Sequence, residues 1–228
     1  MKPLTIAIDG PVGAGKSSIA KEVAKRLGIL HLDTGAMYRA IGLAAMENQV
    51  DPMDEKAVCA LLESGKVQVD VRYEHGSQIT LLNGRDVSQQ IRTQEAGGAA
   101  SAVSRYVPVR NQMVRRQQEM ASHQPMLLDG RDIGTVVLPD ATAKIFLTAT
   151  PEARAQRRLK QLMDKDPSAQ HPSFEEILAE VNARDLQDTT RELTPLRQAE
   201  DAVLVDTTLL DFEASVQAIL DIVEARHG

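Results

Sequence analysis

Near the amino end the residues GPVGAGKS (Gly10, Pro11, Val12, Gly13, Ala14, Gly15, Lys16, Ser17) match the pattern G-x-x-x-x-G-K-[ST] in full. Glycines at these places let successive backbone N–H groups turn inward around phosphate oxygens. A helix opening at Lys16 adds partial positive charge at its N-terminus. In such a loop Lys16 reaches the β- and γ-phosphates and Ser17 ligates Mg²⁺, with Ser18 following in the first turn. A chance glycine-rich turn would need neither a strand before it nor a helix after it, and this segment has both. The chemistry is nucleoside triphosphate binding.

A second set of charges lies in LLDGRDIGT, residues 127–135, where an apolar run ends in Asp129 and Gly130, Arg131 and Asp132 follow at once. HLDTGAMYR, residues 31–39, has the same form. Ligands of open α/β sheets bind outside the carboxyl ends of the strands, so both segments point to a crevice. Asp33 and Asp129 reach Mg²⁺, directly or through water, or else cap local structure; Arg39 and Arg131 suit an acceptor phosphate. Further on, Ile177, Val181, Arg184, Asp188 and Arg191 share one helix face, an apolar stripe that turns charged without changing sides. That switch fits a polar cavity, or an ion-pair ladder beyond the end of the core. Arg154, Arg157 and Arg158 also fall on one face. They form either a cationic lid for the charge of phosphoryl transfer or a solvated basic surface.

These groups need a scaffold. LTIAIDG, ILHLD, PMLLD, AKIFLTA and AVLVDT read as short core strands. KSSIAKEVAKRLG and AMYRAIGLAAMEN read as helices, and strand–helix–strand–helix alternation predicts a parallel sheet. Between about 64 and 92 the pattern changes: KVQVDVRY, SQITLLNG and RDVSQQI suggest antiparallel strands, with Asn-Gly as a hairpin turn. Helical patterns resume over 93–122, 151–164 and 173–191, with the polar segment DKDPSAQHP between the last two, and FEASVQAILDIVEARH forms a C-terminal helix.

The bulk numbers narrow the function. The 228 residues suit one domain, 1–228, carrying an insert at 64–92. An apolar fraction of 43% with only 3% aromatic residues gives an aliphatic core and no stacking platform for single strands. A formal charge of −6 disfavours a nucleic-acid partner. The single cysteine, Cys59, excludes an intramolecular disulfide framework and a cysteine-rich zinc site. No run approaches the roughly 18 apolar residues of a membrane span, and the first residues do not read as a signal peptide. The expectation is a cytoplasmic monomer with small-molecule substrates, no nucleic acid and no membrane. No N-K-x-D guanine motif marks a GTPase switch, and motor ATPases need a longer chain, so a small-molecule kinase fits best.

With the phosphate loop, LDTGAMYR, LLDGRDIGT and the Arg184–Asp188–Arg191 spacing assembled, the chain resembles the bacterial cytidylate kinases from residue 4 to about 225. The resemblance implies a nucleoside-monophosphate-kinase fold: a five-stranded parallel sheet flanked by helices, a small antiparallel β insert in the acceptor-binding region and an arginine-rich lid at 151–172. It implies phosphoryl transfer from ATP–Mg²⁺ to CMP or dCMP. The family's base contacts fall on Thr34, Arg110, Asp132 and Arg191, and its sugar or phosphate contacts on Ser101, Arg184 and Asp188. Arg39 and Arg131 fall toward the acceptor phosphate; with Lys16 and the lid arginines they carry the catalysis. Position 34 is Thr where Ser is also familiar in the family, and the hydroxyl survives. In that frame Asp132 accepts from the cytosine amino group and repels the uracil carbonyl. The rivals are a kinase for UMP or a non-nucleotide acceptor, and a nucleotide-binding regulator with no transfer activity.

Overall fold

A computed structural model describes residues 2–227. Its centre is a parallel sheet built from β1 (Thr5–Asp9), β2 (Leu30–Asp33), β6 (Met126–Gly130), β7 (Ala143–Thr148) and β8 (Val203–Asp206). The order across the sheet is β2-β6-β1-β7-β8. All five expected core strands are present and parallel. Between β2 and β6 lie β3 (Val69–Glu74), β4 (Ser77–Leu82) and the two-residue β5 (Arg85–Asp86), which form a separate antiparallel sheet.

Alternation along the strands splits the core in two. On β6, Met126 and Leu128 face one cluster, with Leu32, Met37, Ile41 and Met113. Leu127 faces the other, with Ile6, Ile8, Val23, Ile145, Leu147 and Ile219. The first cluster is covered by α2 (Thr34–Glu47), α3 (Glu55–Glu63), α4 (Gln94–Val103) and α5 (Val107–His123), the second by α1 (Lys16–Leu27) and α8 (Phe212–His227). Both faces are thus buried, as a parallel sheet requires. A third small cluster, Ala155, Ile177 and Val181, joins α6 (Pro151–Lys165) to α7 (Phe174–Thr190).

The insert departs from expectation in detail. Its two turns hold His75–Gly76 and Asn83–Gly84, each pair with positive φ, as tight hairpins demand. RDVSQQI, however, pairs only at Arg85–Asp86 and then coils into a 3₁₀ turn, Gln90–Arg92. Val87 and Ile91, four apart and both buried, pull the segment into a turn that a strand could not make. The expected 93–122 helical stretch breaks at 104–106 into α4 and α5. Helix α3, capped by Asp54, was not among the expected elements.

Helices α2 and α4 touch through small residues. A Cβ on Gly42 would meet Ala99 Cβ at 2.7 Å and the Ala100 backbone nitrogen at 3.1 Å. Gly42→Val should therefore force the helices apart and cost about 1–3 kcal/mol. Thermal unfolding followed by circular dichroism should show the midpoint several degrees lower, roughly 2–4 °C per kcal/mol at this size; an unchanged midpoint would mean the two helices are not tightly packed.

Candidate active site

Register brings the chemistry together. Asp9 pairs with Gly130 and Asp33 with Asp129, so the ends of β1, β2 and β6 lie side by side at one edge. From β1 hangs the phosphate loop. Gly10 has φ 151°, and a Cβ there would lie 1.9 Å from the Leu147 carbonyl oxygen, so only glycine can pass. Gly15 enters α1 in the left-handed region with no side-chain cap. The N–H groups from Gly15 to Ser18 are the open donors of an uncapped helix start, which is how such a start receives an anion. Lys16 folds over the loop: its Nζ donates to the Pro11 carbonyl at 2.6 Å. Burial, then the nearby Arg131 charge, pushes its pKa down to about 7.

The acids divide. Asp33 caps α2, accepting from the Ala36 N–H at 3.1 Å. Asp129 caps nothing; its Oδ2 accepts from Ser17 Oγ at 2.7 Å, and its Oδ1 lies 2.6 Å from His31 Nε2. Burial alone would raise the Asp129 carboxyl, but His31 and Ser17 hold it below the usual range. Burial and the Asp129 charge push Asp33 up. Thr34 Oγ1 donates to the Asp129 carbonyl at 2.8 Å, tying β2 to β6.

Beyond β6 two ion pairs stand next to each other. Arg110 from α5 pairs with Asp132, both buried. Arg131 Nε donates to Asp188 Oδ2 of α7 at 2.7 Å. Arg184 Nε lies 3.6 Å from Asp188 Oδ1, too far for a hydrogen bond. The stripe on α7 therefore faces β6 and its turn, with Ile177 and Val181 in the small core and Asp188 buried. Arg191 corrects the expectation of a five-residue stripe: the helix ends at Thr190, and Arg191 is extended (φ −60°, ψ 138°). Its Nε donates to the Thr194 carbonyl at 2.5 Å. Arg191 still belongs to the cluster, because Asp132, Arg110, Asp188 and Arg131 all act on its charge. Burial lowers the pKa of Arg39, Arg184 and Arg191 alike. Arg184 Nε and Arg191 Nη2 are buried without a protein acceptor among the described residues. Ser101 is buried in α4, and its hydroxyl bonds to none of these groups among the described residues.

The basic face of α6 splits three ways. Arg154 is buried, donating to the Val12 carbonyl of the phosphate loop at 3.0 Å and, through both ends of its fork, to Asp185 at 2.9 and 2.5 Å. Arg157 donates to Thr207 Oγ1 at 3.1 Å and to the Thr207 carbonyl. Arg158 alone is exposed, on Gln161. Carboxylate and carbonyl partners at Arg154 and Arg157 relieve the repulsion that the spacing implies.

Asp9, His31 and Asp185 were not singled out by sequence. Asp9 holds the turn after β6, accepting from the Ile133 and Gly134 N–H groups at 2.7 Å each. The one signal was its place beside Gly10 at a strand end, which also reads as a plain turn.

Residues 6–225 match the sequence family described as Cytidylate kinase. The chain is 46% identical over 222 residues to a cytidylate kinase of Caldicellulosiruptor bescii, covering 97% of this chain and 96% of that one. It is 46% identical over 224 residues to a cytidylate kinase of Thermosipho melanesiensis, covering 98% of each. A crystal structure of an uncharacterized protein from Eubacterium ventriosum shares the fold at 11% identity, with a TM-score of 0.52 over 99% of this chain and 100% of that one.

The buried Asp9 carboxyl predicts a pH dependence for the site. Burial, outweighing its two N–H bonds, raises its carboxyl from 3.8 to about 6. The folded state thus binds this proton more tightly than the unfolded chain. The group's contribution to stability is complete below 3.8 and is lost as pH rises through 6. Activity should run the other way, because the ionised carboxylate is the form that accepts both N–H bonds. The ratio of wild-type to Asp9→Asn turnover should fall as pH drops from 8 toward 5, with its midpoint near 6. A ratio constant over that range would remove Asp9 from the site's control.

Proposed function

The chain belongs to the cytidylate kinase family, and on that premise we propose that it moves the γ-phosphoryl group of ATP to the phosphate of CMP or dCMP, through the side chains gathered at the ends of β1, β2 and β6. It is a phosphotransferase of the nucleoside monophosphate kinase type. The observation that carries the reading is the pair of neighbouring ion pairs beside the phosphate loop: Arg131 with Asp188, and Arg110 with Asp132. One offers cation to a phosphate, and the other offers a carboxylate and a guanidinium to a base edge.

The donor triphosphate lies on Gly10–Ser18, with Lys16 leaving the Pro11 carbonyl for a phosphate oxygen. The acceptor phosphate is held by Arg39, Arg131 and Arg191, whose close approach to one another an anion relieves. Arg184 and Asp188 hold the sugar–phosphate side, and Ser101 the sugar. Asp132 accepts from the cytosine amino group while Arg110 braces it and donates to the ring carbonyl or N3; Thr34 completes the base site. Uracil would set its carbonyl oxygen against the Asp132 carboxylate. No general base is needed, because the attacking oxygen is already ionised. Catalysis is then positioning and charge stabilisation.

A magnesium ion fits these residues. No group of three or more His, Cys, Asp or Glu among the described residues forms an all-protein metal cage. The Ser17 hydroxyl and the Asp129 carboxylate, 2.7 Å apart and held in the ionised state, are the sparse oxygen set that Mg²⁺ takes alongside phosphates. When bound, such an ion neutralises charge on the transferring group. Segment 64–92 belongs to the acceptor side and 151–172 to the lid, whose Arg154, Arg157 and Arg158 supply cation to the donor on closure; Arg154 already reaches the phosphate loop, while Arg157 is held by Thr207 and Arg158 is exposed. No helix among the described residues is long and apolar enough to cross a membrane. The same reading takes the protein as a cytoplasmic monomer acting on free nucleotides in pyrimidine metabolism.

A panel of CMP, dCMP, UMP and non-nucleotide acceptors assayed with ATP tests the reading, and turnover of an acceptor other than a cytidine nucleotide in preference to CMP would overturn it. Lys16→Ala should abolish most turnover while circular dichroism stays unchanged. Asp132→Asn should lower kcat/KM for CMP by roughly 10²-fold or more and for UMP by less than about tenfold. Equal losses on both would take base reading away from Asp132.

A further inference from the structure

Strand β2 is an edge of the parallel sheet, and an edge strand leaves half its backbone groups unpaired. On the inner side Leu30 N–H donates to the Pro125 carbonyl, which turns the N–H and C=O of His31 and Asp33 outward. The insert meets these groups with side chains. Tyr73 Oη of β3 donates to the His31 carbonyl at 3.1 Å. Gln78 of β4 meets both backbone groups of Asp33: its Oε1 accepts from the N–H at 2.7 Å and its Nε2 donates to the carbonyl at 3.2 Å. A primary amide is chemically a peptide group, so Gln78 supplies at Asp33 the two bonds that a neighbouring strand would supply.

Asp33 is the corner from which the acceptor side is built. Its carboxylate starts α2, the next residue ties its hydroxyl to β6, and Arg39 follows within the same helix. We propose that Gln78 is a positioning residue for acceptor binding: it touches no nucleotide, and fixes the end of β2 so that Thr34 and Arg39 stand in place. The phosphate loop hangs from β1, in the middle of the sheet and separated from the insert by β6 and β2. The effect should therefore fall on the acceptor and spare ATP. The insert itself does not depend on Gln78 for its place. Asp70 pairs with Arg116 of α5 at 2.7 Å, Arg85 with Glu47 of α2 at 2.6 Å, and Val69, Leu82 and Val87 are buried.

This inference rests on the phosphoryl-transfer reading, and the test separates the two. Wild-type chain that fails to phosphorylate CMP with ATP would sink that reading. In that case CMP affinity measured by calorimetry still reads the clamp. In steady-state kinetics Gln78→Leu, which keeps the bulk and removes the amide, should raise KM for CMP about tenfold while KM for ATP stays within about twofold. Gln78→Met repeats the loss of the amide should the leucine variant not fold. Tyr73→Phe frees a carbonyl two residues before the corner and should leave both KM values within about twofold. Two results would overturn the proposal: a CMP KM unchanged without the amide, or a parallel rise in both KM values that Tyr73→Phe reproduces, the mark of general loosening.

Discussion

Charge buried beside other charge is the constraint on which this molecule depends. Asp9, Lys16, Arg110, Asp129, Asp132, Arg154 and Asp188 are all buried. An ion taken from water without a partner costs several kcal/mol, roughly what a whole large core side chain contributes. Each carboxylate meets this by a partner from a distant segment: Asp9 with the turn after β6, Asp129 with Ser17 and His31, Asp132 with Arg110, Asp188 with Arg131. None of these pairings is local. The pairings of Asp9 and Asp129 exist because three parallel strands end in register, and a one-residue slip of β6 against β1 would part Asp9 from its turn and Asp129 from Ser17 together.

The two appended parts meet this centre by contact with its backbone. The insert closes the open edge at β2. The helical hairpin α6–α7 crosses the phosphate loop instead, where Arg154 reaches the Val12 carbonyl and also joins Asp185 of α7. A Cβ on Gly13 would lie 3.3 Å from Arg154 Cβ, so glycine there serves the passage of α6 as well as the turn of the loop. The hairpin's own core is small, Ala155, Ile177 and Val181 with their partly buried neighbours. Few buried apolar contacts join it to the sheet compared with α1 or α2, as the proposed lid role asks.

How much of this was legible in the sequence follows from the range of the forces. The phosphate loop, the alternation of the five core strands and the Asn83–Gly84 turn are local patterns, and each was placed correctly. LLDGRDIGT could be assigned to a strand end because an apolar run stops where its charges begin. What could not be read is pairing between segments. The spacing of Arg154, Arg157 and Arg158 gives their shared face but not Asp185 or Thr207, which arrive from 31 and 50 residues away. Gln78 lies on a strand whose alternation says only that it is half-buried. Arg191 was misplaced for a different reason: helical spacing does not announce where a helix ends, and no glycine marks the end of α7. Val87 and Ile91 show tertiary burial overriding a strand pattern.

The unpaired donors give the site its direction. Arg39, Arg184 and Arg191 are held close enough to Arg131 and to one another that burial and mutual repulsion lower the pKa of each. Two of their N–H donors, Arg184 Nε and Arg191 Nη2, are buried with nothing to bond among the described residues. A buried donor left without any acceptor costs about 1–3 kcal/mol, so these two N–H groups call for an anion or a water. On the proposed reading a phosphate entering here would meet these donors without their having to reorganise. The carboxylates in the same pocket set the limit on that gain: Asp188 already occupies Arg131, and Asp132 occupies Arg110. On the proposed reading an acceptor phosphate would compete with Asp188 for Arg131, whereas Arg184 Nε and Arg191 Nη2 have no protein acceptor to give up among the described residues. The groups whose charges repel one another in the pocket are thus the same guanidinium groups that the proposed reading gives to the acceptor phosphate.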